Sequence, residues 1–248
     1  MMYLAEVKAW DIVKKQYRYK LKSYFGVFTS LIVIQLLAIL FSFNGTGSGS
    51  GSSNSLQYDF YYYTSDIILI FMMIWAFITA IIITTRAYRY DDFSLVTNRT
   101  ISQVSNILFL LTASIFAGIT VYLSTHLFQI LAFYFKDNYS IIVDSLTVTE
   151  FVMGMITSIL YIFLFACAGY LVGILIQLHK GFLLIIPTVL FGGLILDGIG
   201  GDPRFFVNIT MFFGEETSFI LFFCKIALVS SMLLLASLGI SNRMEVRK

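Results

Sequence analysis

Few side chains in this sequence are of types that do chemistry, and most of them fail on spacing. Glu215 and Glu216 stand side by side. A glutamate pair can activate water in a membrane hydrolase, but it needs an arginine four residues after the second glutamate and histidines on other helices. Position 220 is Ile. A serine nucleophile in a Gly-x-Ser-Gly turn has no counterpart here, and no His/Cys cluster has metal-ligand spacing. Gly-x-x-x-x-Gly-Lys-Ser/Thr, the loop that cradles nucleotide phosphates, is also absent. Cys167 and Cys224 fall within apolar runs and read as small hydrophobes, not a disulfide pair. No catalytic or metal site is expected, so the chain reads as a non-enzyme that binds no cofactor of its own.

Three polar side chains within apolar runs are the candidates for an intramembrane polar pathway or pairing: Lys225, His126 and Gln129. An ammonium costs roughly 2.5–3.5 kcal/mol at the centre of a membrane helix and less near its edge. Lys225 has two ways to offset that. It can snorkel to headgroups, a distance of about 12 Å at roughly 1.5 Å per residue, which is long for its stem. Or it can pair with a carboxylate or line a wet cavity, with Asp197, Asp66 and Glu150 nearest by depth. His126 and Gln129, three apart, either form a polar site or hydrogen-bond to neighbouring helices.

These residues are positioned by membrane helices. The chain is 58% hydrophobic and 12% charged, where soluble domains carry roughly 25% charged residues. Residues 1–22 form an amphipathic segment rather than a cleavable leader. Leu4, Val7, Trp10, Val13, Tyr17 and Leu21 recur at helical spacing, while Lys8, Lys14, Lys15, Arg18, Lys20 and Lys22 take other faces. That pattern predicts a helix in the membrane interface with its lysines toward anionic lipid. Six spans are expected, at 24–43, 67–85, 106–135, 151–177, 182–196 and 217–240. The third is longer than a bilayer requires, and Gln35 in the first faces another helix. Gly169 and Gly173 offer a small-residue face for close helix packing. Asn44–Tyr58 reads as a flexible Gly/Ser loop, and Phe60–Tyr63 as an aromatic belt. The 197–213 stretch, with turn chemistry followed by a short apolar run, predicts a re-entrant or interfacial hairpin.

Residues 86–103 (RAYRYDDFSLVTNRTISQ) cannot enter the membrane, yet contain no Gly or Pro. Tyr90, Phe93 and Val96 are near helical spacing, and Asp91 and Asp92 precede them, where a helix dipole favours negative charge. This is either a short docking helix or a solvated connector. Charge sets the orientation. The N-terminal cations, Arg86, Arg89, Arg99, Lys180 and the C-terminal cations fall on one side, against Lys136 and Arg204 on the other. The positive-inside rule puts both termini and the 86–103 loop in the cytoplasm of a plasma-membrane protein.

An amphipathic N-terminal elbow, six spans with both ends inside, a cytoplasmic helix after the second span and a broken apolar hairpin before the sixth together resemble the membrane subunit of ABC-2-type exporters. Within that family the length and the RAYRYDDFSLVTNR stretch are similar to permeases of Gram-positive peptide exporters of the phenol-soluble modulin type. The resemblance implies an all-α membrane fold and a coupling helix that docks on a separate ABC ATPase through Tyr88, Tyr90, Asp91, Asp92, Phe93, Leu95 and Val96. It also implies ATP and Mg on that partner, a second copy or a sibling permease, and an amphipathic or hydrophobic cargo such as toxin or antimicrobial peptides. Nucleic acid is not an expected partner. Two other classes compete. An ion-coupled secondary transporter needs more intramembrane charge and internal repeats, and a non-transporting scaffold or immunity protein needs no coupling loop.

Overall fold

A backbone in hydrocarbon must satisfy its own hydrogen bonds, and apolar runs do so as helices. The computed structural model describes residues 9–43, 47–53, 56–62, 66–88, 91, 98–135, 147–199, 205–214, 216 and 218–243. Over these residues every apolar run is helical. In chain order, α1 spans Ala9–Ser23 and α2 Phe25–Ser42; β1 spans Gly47–Ser53 and β2 Leu56–Tyr62; α3 spans Asp66–Ile83 and α4 Arg99–Phe135. After them come α5 at Val148–Leu178, α6 at Phe182–Ile199, α7 at Phe205–Gly214 and α8 at Phe219–Arg243. Among the described residues five helices are long and apolar enough to cross a membrane: α2, α3, α4, α5 and α8. The apolar part of α6, Phe182–Asp197, is shorter, and α6 carries Pro187 in its interior.

The long helix α5 is the central post, packed on α3, α4 and α8. Its start is set by a capping box. Thr147 Oγ1 accepts from the Glu150 backbone N–H at 3.4 Å, and Glu150 Oε2 accepts from the Thr147 N–H at 2.9 Å. Near its other end, small residues let α3 approach closely. A Cβ on Gly169 would stand 2.3 Å from the Phe77 carbonyl oxygen, and one on Gly173 would stand 2.2 Å from Thr84 Oγ1. The Gly169/Gly173 face, expected as a packing surface, is therefore filled from within the chain, by α3. The main core lies among α2, α3, α4 and α5, with Leu31, Met72, Trp75, Phe109 and Tyr170 buried in it. A smaller cluster of Leu164, Phe222 and Ile226 joins α5 to α8. Gln35 meets another helix as expected, donating to Ser124 Oγ at 2.8 Å.

Several boundaries and one element differ from the sequence reading. The Gly/Ser stretch is not a loop over its length: Gly47–Ser53 pairs antiparallel with Leu56–Tyr62. Ser and Gly have low strand propensity, so composition hides a strand whose partner is aromatic. The long helix α4 begins at Arg99, inside the stretch read as a water-facing loop, because its first turns are buried against α1. The helix α6 continues to Ile199 and absorbs the first residues of the expected 197–213 hairpin. The apolar remainder is the ten-residue helix α7, and residues 200–204 lie outside the described ones. The elbow is a helix from Ala9 to Ser23, and the 1–8 part of that expectation also lies outside. Both cysteines are free, Cys167 buried and Cys224 exposed.

Candidate functional site

Polar groups concentrate at two junctions, one at each end of the bundle. At the first, the C-terminal end of α3 and the first turns of α4 meet the C-terminal ends of α1, α5 and α8. An amphipathic helix buries its apolar face, yet the face α1 turns to the protein is Val13, Gln16 and Lys20. Lys20 is fully buried and donates to Asn106 Oδ1 and, at 3.4 Å, to the Ser102 carbonyl. Lys14, Lys15, Arg18 and Lys22 stay exposed, as the interface reading requires, but Lys20 does not belong with them. Its acceptors, one turn apart on α4, lie within the polar run Ser102, Gln103, Ser105 and Asn106, all buried. That run is the missed signal: four polar residues opening an apolar helix.

Beside this ammonium is a cavity of about 40 Å³ lined by Thr84, Arg99, Ser102, Gln103, Asn106, Tyr170, Ile174, Gln177 and Ser241. Gln103 Oε1, buried in its wall, has no hydrogen-bond partner. The start of the 86–103 stretch abuts the same junction. Tyr88 is half-buried, its ring edge-on to Tyr24 at 4.6 Å, and Tyr24 is in turn edge-on to Phe109 of α4 at 5.8 Å. Tyr88, expected as a docking anchor, is thus packed on the bundle itself. Asp91 is helical and exposed. Tyr90, Asp92, Phe93, Leu95 and Val96 lie outside the described residues.

The second junction holds Lys225. Its ammonium pairs with Glu216, donates to the Phe212 carbonyl at 2.7 Å and lies 3.9 Å from the centroid of the Phe212 ring. Of the two accounts, pairing is the one observed. The partner is Glu216, not Asp197, Asp66 or Glu150. Local geometry explains this: α7 ends just before α8, so its last carbonyls and Glu216 come within reach of a lysine two turns into α8. A cation at a helix C-terminus also complements the helix dipole. Tyr161 of α5 holds the next residue, donating to the Phe213 carbonyl at 2.8 Å.

His126 and Gln129 are not brought together with Lys225, and no hydrogen bond joins them to each other. His126 stacks on Phe151 at 5.9 Å, edge-on to Tyr122, and its Nε2 is buried without a hydrogen-bond partner. Gln129 is exposed. Neither takes the interhelical hydrogen bond expected of a pair. Among the described residues no group of three or more His, Cys, Asp or Glu side chains is placed to hold a metal ion. Compared with protein-family models, with curated proteins and with solved structures, the chain matches none.

Proposed function

We propose that this chain is the membrane-spanning permease subunit of an ATP-driven exporter, with ATP hydrolysis on a separate subunit docked at the 86–98 segment. The observation that carries the reading is the first junction. Tyr88 at the root of that segment, Tyr24 at the α1–α2 joint and Phe109 of α4 form one chain of ring contacts, and Lys20 ties α1 to α4 alongside it. A push on the segment therefore reaches the elbow helix and the longest helix through packed groups. That is the mechanical link a coupling helix requires, and a solvated connector needs none.

The proposal includes six crossings, and the same junction supports them. Gln177 near the end of α5 and Ser241 near the end of α8 line one cavity, and on this reading the chain recrosses between them. The intervening helix α6, with 18 residues at about 1.5 Å each, reaches about 27 Å, close to a hydrocarbon core of about 30 Å. No residue of α6 whose side chain is described is buried. Its apolar surface and that of α8 are where a second permease copy or a sibling would pack, in a plasma-membrane assembly with both termini cytoplasmic. The cargo expected is amphipathic or hydrophobic, in keeping with the largely apolar interior.

The test is co-purification with an ABC ATPase, followed by Tyr90→Ala with Phe93→Ala. Truncating an aromatic anchor costs on the order of 2 kcal/mol or more at an interface hot spot, so ATPase binding should fall about 30-fold for one anchor and towards about 1,000-fold for both where their effects add. Membrane insertion should be unchanged. Export that persists in the double variant overturns the reading.

A further inference from the structure

Where the elbow turns into the first span, the chain leaves a cleft. Lys20 pins the end of α1 to α4, and α2 departs at once from Phe25. Beside this joint is a cavity of about 220 Å³, where about 150 Å³ is enough to take a benzene ring. Gly26, Val27 and Ser30 line it from the first turns of α2, Thr79, Ile82 and Ile83 from the end of α3, and Tyr88 from the root of the 86–98 segment.

Two of its walls belong to helices long and apolar enough to cross a membrane. Phe25, Ile78 and Ile82, on or beside those walls, are exposed apolar residues, so this side of the cleft meets the bilayer. The lining starts at Ser23 in the elbow and reaches Ser30, at most about 10 Å deeper at roughly 1.5 Å per residue. The polar layer on each side of a bilayer core is about 5–8 Å thick. The cleft therefore runs from headgroup level past the ester groups to the first methylenes of a phospholipid.

Its chemistry changes along that depth in the same order. Lys22 and Arg86, one and two positions from the lining residues Ser23 and Tyr88, are exposed cations. Arg18 is exposed one turn before Lys22 on the same helix face. Among the described lining residues there is no Asp or Glu. Below the cations come hydroxyls, which can donate to ester carbonyls that only accept, and then the apolar side chains of Val27 and Ile82.

We propose that the cleft is a specific site for one anionic phospholipid. The phosphate lies at Lys22 and Arg86, the ester groups at the hydroxyls of Ser23, Thr79 and Tyr88, and an acyl chain against Val27 and Ile82. Basic side chains at the cytoplasmic surface attract anionic headgroups, and a choline headgroup brings its own cation against them. This inference rests on the membrane reading alone and is independent of the exporter proposal.

Trp75 reports on the site, because its indole donates to Ser30 Oγ at 3.0 Å, and Trp10→Phe leaves it the sole tryptophan. Full-length protein in dodecyl maltoside is titrated with phosphatidylglycerol or phosphatidylcholine brominated on the acyl chains, and quenching of Trp75 is followed. Quenching should saturate, at a severalfold lower mole fraction of phosphatidylglycerol than of phosphatidylcholine. Gly26→Leu plugs the cleft without repacking it, since Gly26 is exposed and a Cβ there meets no described atom within 4 Å. It should raise the half-quenching mole fraction at least tenfold. Lys22→Gln with Arg86→Gln, both at exposed positions, should abolish the preference between the two lipids. Quenching that rises without saturating overturns the proposal, because lipid then forms an unspecific annulus. So do an unchanged titration in Gly26→Leu, equal binding of the two lipids to the unplugged cleft, and a phosphatidylglycerol preference that survives loss of both cations.

Discussion

Lys225 gives the sharpest energetic test, because its three partners differ in what a substitution removes. Lys225→Met deletes a charge-assisted hydrogen bond to the Phe212 carbonyl, worth about 1.5–3 kcal/mol, and a ring contact of about 0.5–1 kcal/mol. The ion pair adds little. Its side chains are 20% and 27% exposed, and pairs reached by water contribute about 1 kcal/mol or less. Against these losses, methionine removes the cost of placing a cation in an apolar helix, about 2.5–3.5 kcal/mol at the centre and less towards the edge. The two sides nearly offset, so Lys225→Met should unfold within about 1 kcal/mol of the wild type and retain export. Lys225→Glu instead sets one carboxylate against another. At about 4 Å and an effective dielectric constant of about 20, like charges repel by about 4 kcal/mol, and exposure reduces that to about 2–3 kcal/mol. The charge swap Lys225→Glu with Glu216→Lys should recover the ion pair but not the bond to Phe212, because a carboxylate cannot donate to a carbonyl. Thermal unfolding in nanodiscs at neutral pH reads all three. A Lys225→Glu protein as stable as the wild type refutes the pairing, and full recovery in the swap refutes the role of the Phe212 carbonyl.

Two more predictions concern the interior. Gly169→Ala should cost about 1–3 kcal/mol through overpacking, because the new methyl meets the Phe77 backbone oxygen at 2.3 Å and the α3–α5 seam must part. The check is a lowered Tm with unchanged oligomeric mass; a change of mass at unchanged Tm would instead put the glycine between copies. Asn106→Leu removes the side-chain acceptor of a fully buried ammonium and leaves it the Ser102 carbonyl, so it should cost about 1.5–3 kcal/mol, the worth of a hydrogen bond to a charged group, whereas Asn106→Leu with Lys20→Met removes both partners and should recover most of it. A double variant as unstable as the single one would show that Lys20 draws little from Asn106.

What the sequence made legible follows from which physical term decides each feature. Apolar run length fixes a membrane helix almost alone, so α2, α3, α4, α5 and α8 lie within a few residues of their expected bounds; α4 is the exception, starting seven residues early at Arg99. The 47–62 hairpin was hidden because its stability comes from cross-strand pairing, and Gly–Ser alternation has no strand signature of its own. The Gly169/Gly173 face was legible as a close-packing surface, but spacing cannot say which helix fills it. His126 and Gln129, three apart in sequence, should share a helix face, yet one is held between Tyr122 and Phe151 and the other is exposed. Partner shape decided that, and partner shape is a tertiary fact.

The two lysines fare differently, and for one reason. Lys20 reads as lipid-facing because it sits among other lysines and is instead buried, whereas Lys225 reads as snorkelling or as pairing or lining a cavity, and it pairs, with Glu216 rather than with Asp197, Asp66 or Glu150. Sequence neighbours set the average environment of a segment, whereas a cation is placed by acceptors from elsewhere. For Lys20 these are Ser102 and Asn106, more than eighty positions away. For Lys225 they are the last carbonyls of a short helix and Glu216 just before α8. In both cases the ammonium satisfies backbone or side-chain oxygens where one helix starts or stops against another. A cation in an apolar helix is better read by asking which helix end lies within reach of its stem than by its depth. By that rule Lys225 is a clasp that holds α7 against α8, and Lys20 a pin that holds α1 against α4.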